Sequence, residues 1–132
     1  LTDGQATLRA MAEAGYRIAI VSGALASEIA MVVERFGLGR WVEATVSGDE
    51  VPEGKPNPAP YLLGAERRGV PPEACLVIED APPGVRAAKR AGMRCLAVDR
   101  TGDPEALYAA GADQVVTQLT PATVMTLAAA RA

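Results

Sequence analysis

Histidine is absent from this chain. That excludes imidazole general bases, His-activated nucleophiles and the usual zinc sites, so any chemistry must run on carboxylates, hydroxyls, lysines and backbone groups. Cysteine is nearly as scarce, with Cys75 and Cys95 as its two representatives, both in or beside apolar runs. Two such thiols make no disulfide framework and fit a reducing compartment, so a cytoplasmic location is expected. Positive charge is not in excess: 13 Lys and Arg face 16 Asp and Glu, a formal balance of −3. This argues against nucleic acid or an acidic membrane surface as partner. No apolar run is long enough to span a bilayer, and no signal-peptide pattern opens the chain. An initiator Met is missing too; Leu1-Thr2-Asp3-Gly4 leads straight into a helix, as in a piece cut from a longer chain.

What is present fits one globular domain over residues 1–132, with 49% hydrophobic and 22% charged residues and enough length to bury a core. Strands alternate with helices. Helices are expected at 5–14 (with Asp3 as its cap), 26–36, 59–68, 83–91, 103–109 and 121–130. Strands are expected at 17–21, 44–46, 75–78, 94–98 and 114–116, with 48–60 a Pro- and Gly-rich loop. Ile29, Val32, Val33 and Phe36 form the inward stripe of the second helix. The alternation predicts an α/β fold: a three-layer, Rossmann-like, mostly parallel sheet with helices on both faces.

The chain is organised around Leu76-Val77-Ile78-Glu79-Asp80-Ala81-Pro82-Pro83-Gly84-Val85, a buried strand that stops on two adjacent carboxylates before a helix. In open α/β sheets ligands bind beyond the carboxyl ends of the strands, and two acids there can hold a hard cation. Helix capping is the plainer reading of the same pair. Ser22-Gly23 ends the first strand, a hydroxyl followed by backbone N–H groups that could cradle an anion. Lys55 lies in Gly54-Lys55-Pro56-Asn57-Pro58, where prolines stiffen the loop and fix the reach of the ammonium. Asp49, in Gly48-Asp49-Glu50, is a weaker fourth feature. A hydroxyl and a lysine suit a phosphate, and the acid pair suits the magnesium that accompanies it.

Three segments carry a resemblance: VSGA at 21–24, GKPNPAPY at 54–61 and VIEDAPPGVRAAKRAGM at 77–93. They are similar to the second, third and fourth motifs of the haloacid dehalogenase-like (HAD) hydrolase superfamily, in its β-phosphoglucomutase and sugar-phosphatase branch. The resemblance implies Mg²⁺-dependent phosphoryl transfer through an aspartyl-phosphate. It implies that Ser22 and Gly23 bind the phosphoryl group, that Lys55 neutralises it and orients the nucleophile, and that Glu79 and Asp80 hold Mg²⁺. A small phosphorylated metabolite is the implied substrate, and a phosphosugar mutase or a non-catalytic binding module are the alternatives. Gly23 stands where many relatives have Asn or Ser, and Ala59 where an Asp is frequent.

The family's first motif, with its nucleophilic aspartate, is not in the chain, nor is the cap domain. Its strand would be central, between strands 17–21 and 75–78, and without it two strand edges face a gap. The chain alone is then inactive. It is expected to be the carboxyl-terminal part of a longer hydrolase, or to acquire a strand from the missing part or by self-association.

Overall fold

A computed structural model describes residues 2–129. Five strands and six helices follow in the expected order: α1 (Thr2–Glu13), β1 (Ile18–Val21), α2 (Ala26–Arg35), β2 (Val42–Val46), α3 (Ala59–Arg68), β3 (Leu76–Glu79), α4 (Pro82–Arg90), β4 (Arg94–Val98), α5 (Pro104–Ala109), β5 (Gln114–Val116) and α6 (Pro121–Ala129). The backbone of α1 is helical from Thr2 rather than from residue 5, and the cap expected of Asp3 lies outside the described side chains, as does Ala130. β2 is longer than expected at its start, because Val42 is buried and pairs with Ile18. β3 runs on to Glu79, whose backbone pairs with Ala97, so the first acid of the doublet belongs to the strand.

Every ladder is parallel, but the strands form two sheets, β1-β2 and β3-β4-β5. Among the described residues no ladder joins β1 to β3. The α/β layering is as expected, and the break falls where the central strand was expected to be missing. β4 explains why three strands still make a core. Cys95, Leu96 and Ala97 are wholly buried and Val98 is 3% exposed, the continuous apolar run of a strand covered on both faces. Strand alternation then sorts the side chains. Val77, Cys95 and Ala97 join Tyr61, Ala65, Val85 and Ala88 on the α3–α4 side. Leu96 and Val98 join Met11, Leu119 and Val124 on the α1–α6 side, with Ile18 and Leu76 against them.

The helices hold the two sheets together. α3 packs on β1 and β2 and also on α4, which covers β3 and β4. On the opposite face α1 packs on both β1 and α6. The break between the sheets is therefore covered on both faces. β1 records it directly: all four of its residues are half-buried, although they are apolar. Ile78, expected inside, is 41% exposed beside the same gap. Val32 is a second departure. It is 47% exposed because α2 packs chiefly on the edge strand β2 and the turn at Leu38–Arg40, which leaves Ile29 as the buried residue of the helix.

Two strand edges carrying unpaired N–H and C=O groups form a template for further pairing. The isolated 132-residue chain is expected to self-associate as concentration rises, measured by multi-angle light scattering. A monodisperse monomer with cooperative unfolding would contradict this.

Candidate active site

The carboxyl ends of β1 and β3 meet across the gap through one side chain. The loop after β2 carries Lys55 inward, and its ammonium donates to the Val21 carbonyl at 3.3 Å and to Glu79 Oε2 at 2.8 Å. An ammonium has three protons, so one remains for the gap. The Lys55–Pro56 bond is cis. Tyr61, on the first turn of α3, donates its hydroxyl to the same Glu79 oxygen. The Lys55 ammonium lies 4.9 Å from the centre of the Tyr61 ring, within cation–π range. The other Glu79 oxygen accepts the Asp80 backbone N–H at 3.1 Å. A Cβ at Gly84 would overlap the Glu79 carboxyl group, so only glycine leaves room for it there.

This packing sets the charge state. Burial pushes the Glu79 carboxyl up, but the hydrogen bonds from Lys55 and Tyr61 outweigh it and hold the group below the ordinary carboxylate range. Burial, then the adjacent Glu79 charge, pushes the Tyr61 hydroxyl up, so it stays protonated and remains a donor.

Asp80 is exposed. Among the described residues its carboxylate has no hydrogen-bond or ion-pair partner. Neither acid caps the helix that follows: the cap position of α4 is Ala81, with no side-chain bond to the helix. Among the described residues the hydrogen-bonding cap expected of the doublet is not made. Ser22 follows β1, its N–H bonded to the Val46 carbonyl at 3.0 Å. Its hydroxyl oxygen accepts the Ala24 N–H at 3.1 Å, which leaves the hydroxyl proton to donate outward. The Gly48 N–H donates to the Ala24 carbonyl at 2.8 Å, and a Cβ at Gly48 would overlap the Gly23 carbonyl. Glycine at position 48 thus lets the loops after β1 and β2 close on each other. A Cβ at Gly23 would meet nothing within 4 Å.

Ser22, Gly23, Lys55, Glu79 and Asp80 therefore share the carboxyl edge of the sheets, and Lys55 and Glu79 are in contact. Asp49 is exposed. Its neighbour Glu50 is the working acid of that turn. It accepts the Ser47 N–H at 2.7 Å and pairs with Arg67 at 2.7 Å, and Arg67 first, then Ser47, holds its carboxyl at about 2. The start of α3 is secured without an acid at position 59, because Asn57 Oδ1 accepts the Ala59 N–H at 2.9 Å. Tyr61 was within the quoted motif but had no role in the sequence reading. An aromatic on the first turn of a helix looks like core, and only the fold brings its hydroxyl to Glu79.

A family model for haloacid dehalogenase-like hydrolases matches residues 3–92. The chain belongs to this family. A phosphorylated carbohydrates phosphatase of Thermotoga maritima is 42% identical over 86 residues, which is 64% of this chain and 40% of that protein. Among solved structures, a HAD family hydrolase from Deinococcus radiodurans R1 with bound phosphate and sodium superposes with a TM-score of 0.83 at 29% identity, over 99% of this chain and 59% of that one. CbbY from Rhodobacter sphaeroides in complex with phosphate gives 0.74 at 29%, over 85% and 51%. The chain thus spans between two fifths and three fifths of the length of these relatives. No described helix is long and apolar enough to cross a membrane.

The sign of the Glu79 shift sets a pH dependence. Its folded pKa is depressed, so the stabilisation is present above the unfolded value of about 4.3 and is lost as pH falls through the folded one. Lys55→Met is expected to cost about 1–3 kcal/mol at neutral pH, because a half-buried carboxylate loses its cation. It should also flatten or reverse the acid-side loss of stability, since burial then dominates. Urea titrations between pH 3 and 7 check both. Gly48→Ala is expected to lower Tm by several degrees (roughly 1–3 kcal/mol of overpacking) because backbone must move; differential scanning fluorimetry reads this.

Proposed function

We propose that the chain is the core part of a Mg²⁺-dependent phosphatase of small phosphorylated metabolites, working through an aspartyl-phosphate whose nucleophile lies outside these 132 residues. The observation that carries this reading is the meeting of Ser22, Lys55 and the Glu79–Asp80 pair at the carboxyl end of the break between the two sheets. Kinship supports it: the Thermotoga relative is a phosphatase of phosphorylated carbohydrates, and two similar structures hold phosphate.

Ser22, Lys55 and Asp80 each keep a group free for a task in this reading. Ser22 donates its outward proton to a phosphoryl oxygen, and the Gly23 N–H adds a second donor. Lys55 turns its third proton and its charge to the same group, where developing negative charge is most stabilised. The ion pair with Glu79 fixes that charge at one place, so little reorganisation accompanies reaction. The acid pair supplies the hard-oxygen side on which Mg²⁺ would sit, and the ion would neutralise phosphoryl charge and align the attacking group. Asp80 fits as it stands: a free, exposed carboxylate at a strand end. Among the described residues no group of three or more His, Cys, Asp or Glu could hold a metal, so further ligands come from elsewhere in the protein or from water. Residues 1–132 form one core-type domain in this reading. Substrate choice between a sugar phosphate, a polyol phosphate and another small phosphate ester lies outside it, as does the choice of water or a sugar hydroxyl as acceptor.

The full-length gene product is expected to hydrolyse a generic aryl phosphate only with Mg²⁺, and Asp80→Asn to lower kcat by roughly a hundredfold or more. The isolated chain should show no turnover. Activity retained in Asp80→Asn, or independent of Mg²⁺, would count against the assignment. Phosphate binding without turnover by the full-length product would favour the binding-module reading.

A further inference from the structure

We infer that α2 carries a self-complementary patch through which two copies of the protein pair, helix antiparallel to helix, about a two-fold axis between Met31 and Val32. The patch lies on the side of α2 turned away from Ile29, the buried residue of that helix. Large apolar side chains exposed to solvent concentrate here: Leu25 at the helix cap, Val32, and Met31, which at 70% is the most exposed of them among the described residues. Positions 28, 31, 32 and 35 recur at the three- and four-residue spacing that makes one stripe of a helix. The apolar pair is central in it, with Glu28 in the first turn and Arg35 in the last. Both charged residues are exposed, and among the described residues neither has an ion-pair partner. Glu28 Oε1 accepts the Leu25 N–H at 2.9 Å, so the carboxylate keeps its second oxygen for another donor. The Arg35 guanidinium lies 5.8 Å from the centre of the Phe36 ring, which steadies it at the end of the stripe.

A two-fold interface matches residue i with j and j with i. For antiparallel helices centred between Met31 and Val32, the matches are Met31 with Val32 and Glu28 with Arg35, each made twice. Two apolar contacts then lie at the axis and an ion pair at either end. The charges select this register. Parallel helices would set Glu28 against Glu28 and Arg35 against Arg35, and an axis centred on Met31 would set Glu28 against Glu34. Like charges meet in both, which disfavours them. The same pattern points to a second copy rather than to an acidic or a basic partner, because the stripe offers one charge of each sign at mirrored positions. Removing Met31 from water is the main driving force. A ten-residue helix is about 15 Å long. The contact therefore falls below the roughly 1,200 Å² of stable complexes, and the dimer is weak, with a dissociation constant of about 10–100 μM. The patch shares no residue with the candidate active site, and the inference does not depend on the hydrolase reading.

The test uses the full-length protein, because open strand edges give the isolated chain another way to associate. Sedimentation velocity over a concentration series reads the monomer–dimer equilibrium, and far-UV circular dichroism confirms that each variant is folded. Met31→Glu is expected to weaken the dimer about tenfold or more, since it places charge at the axis. Glu28→Lys and Arg35→Glu should each weaken it about tenfold, because each turns both ion pairs into like-charge pairs. Mixed in equal amounts, these two variants should regain a heterodimer of wild-type strength: each new charge then meets its opposite, and the other native pair is intact. Should Glu28→Lys not fold, the loss in Arg35→Glu and its relief at high salt carry the test. A full-length protein that stays monomeric throughout the series overturns the proposal, the face then being covered by its own chain or left bare. A dimer indifferent to Met31→Glu also overturns it, as do two folded charge variants that fail to recover on mixing.

Discussion

The Lys55–Glu79 ion pair is the contact on which the architecture turns. It is the polar tie between the β1-β2 sheet and the β3-β4-β5 sheet at their carboxyl ends, since the same ammonium also holds the Val21 carbonyl. Remove it and the sheets are held by the helices packed above and below them and by the apolar contacts of Ile18 and Val21. Its strength comes from position. At 23% and 10% side-chain exposure, both partners are shielded enough for the attraction to exceed that of a surface pair. They are also supplied with enough further hydrogen bonds to offset the cost of desolvation. The tie uses Lys55 and Glu79 of the proposed site, so altering either would loosen the fold at this seam.

The seam is a matter of hydrogen-bond accounting. A mostly parallel sheet is stable when each strand satisfies its neighbours on both sides. β4 has such neighbours and is the best-buried strand of the molecule; β1 has one and is half-exposed throughout. Equal apolarity therefore produces unequal burial, and topology rather than composition decides which strand forms the core. Val21 and Glu79 end their strands at the same lysine, so the two open edges run in the same direction.

Much of this was legible in the residues. The alternation of apolar runs with Gly-terminated helical stretches gave the layers, because periodicity and helix-stop signals are local. The break between the sheets was legible as well, because the motifs at 21–24 and 77–93 resemble strands whose middle partner is absent. Contacts between distant segments were not legible. Tyr61 is an ordinary apolar-face aromatic in sequence, and its bond to Glu79 exists only once α3 lies across the end of β3. Glu50 outranks Asp49 for the same reason, since Arg67 reaches it from α3. Val32 and Ile78 came out more exposed than their apolarity implied, one on a helix with few neighbours and the other beside the gap.

The two thiols end up in very different places. Cys75 is half-buried at the entrance to β3, while Cys95 is wholly enclosed in β4. Burial first, then the nearby Glu79 and Asp113 carboxylates, pushes the Cys95 thiol up to about 12. An alkylating reagent reacts with thiolates, so Cys95 is silent while the ladder is closed and becomes reactive only when β4 opens. The chain thus carries a native pair of chemical clocks, one timing local fraying at β3 and the other timing loss of the core itself.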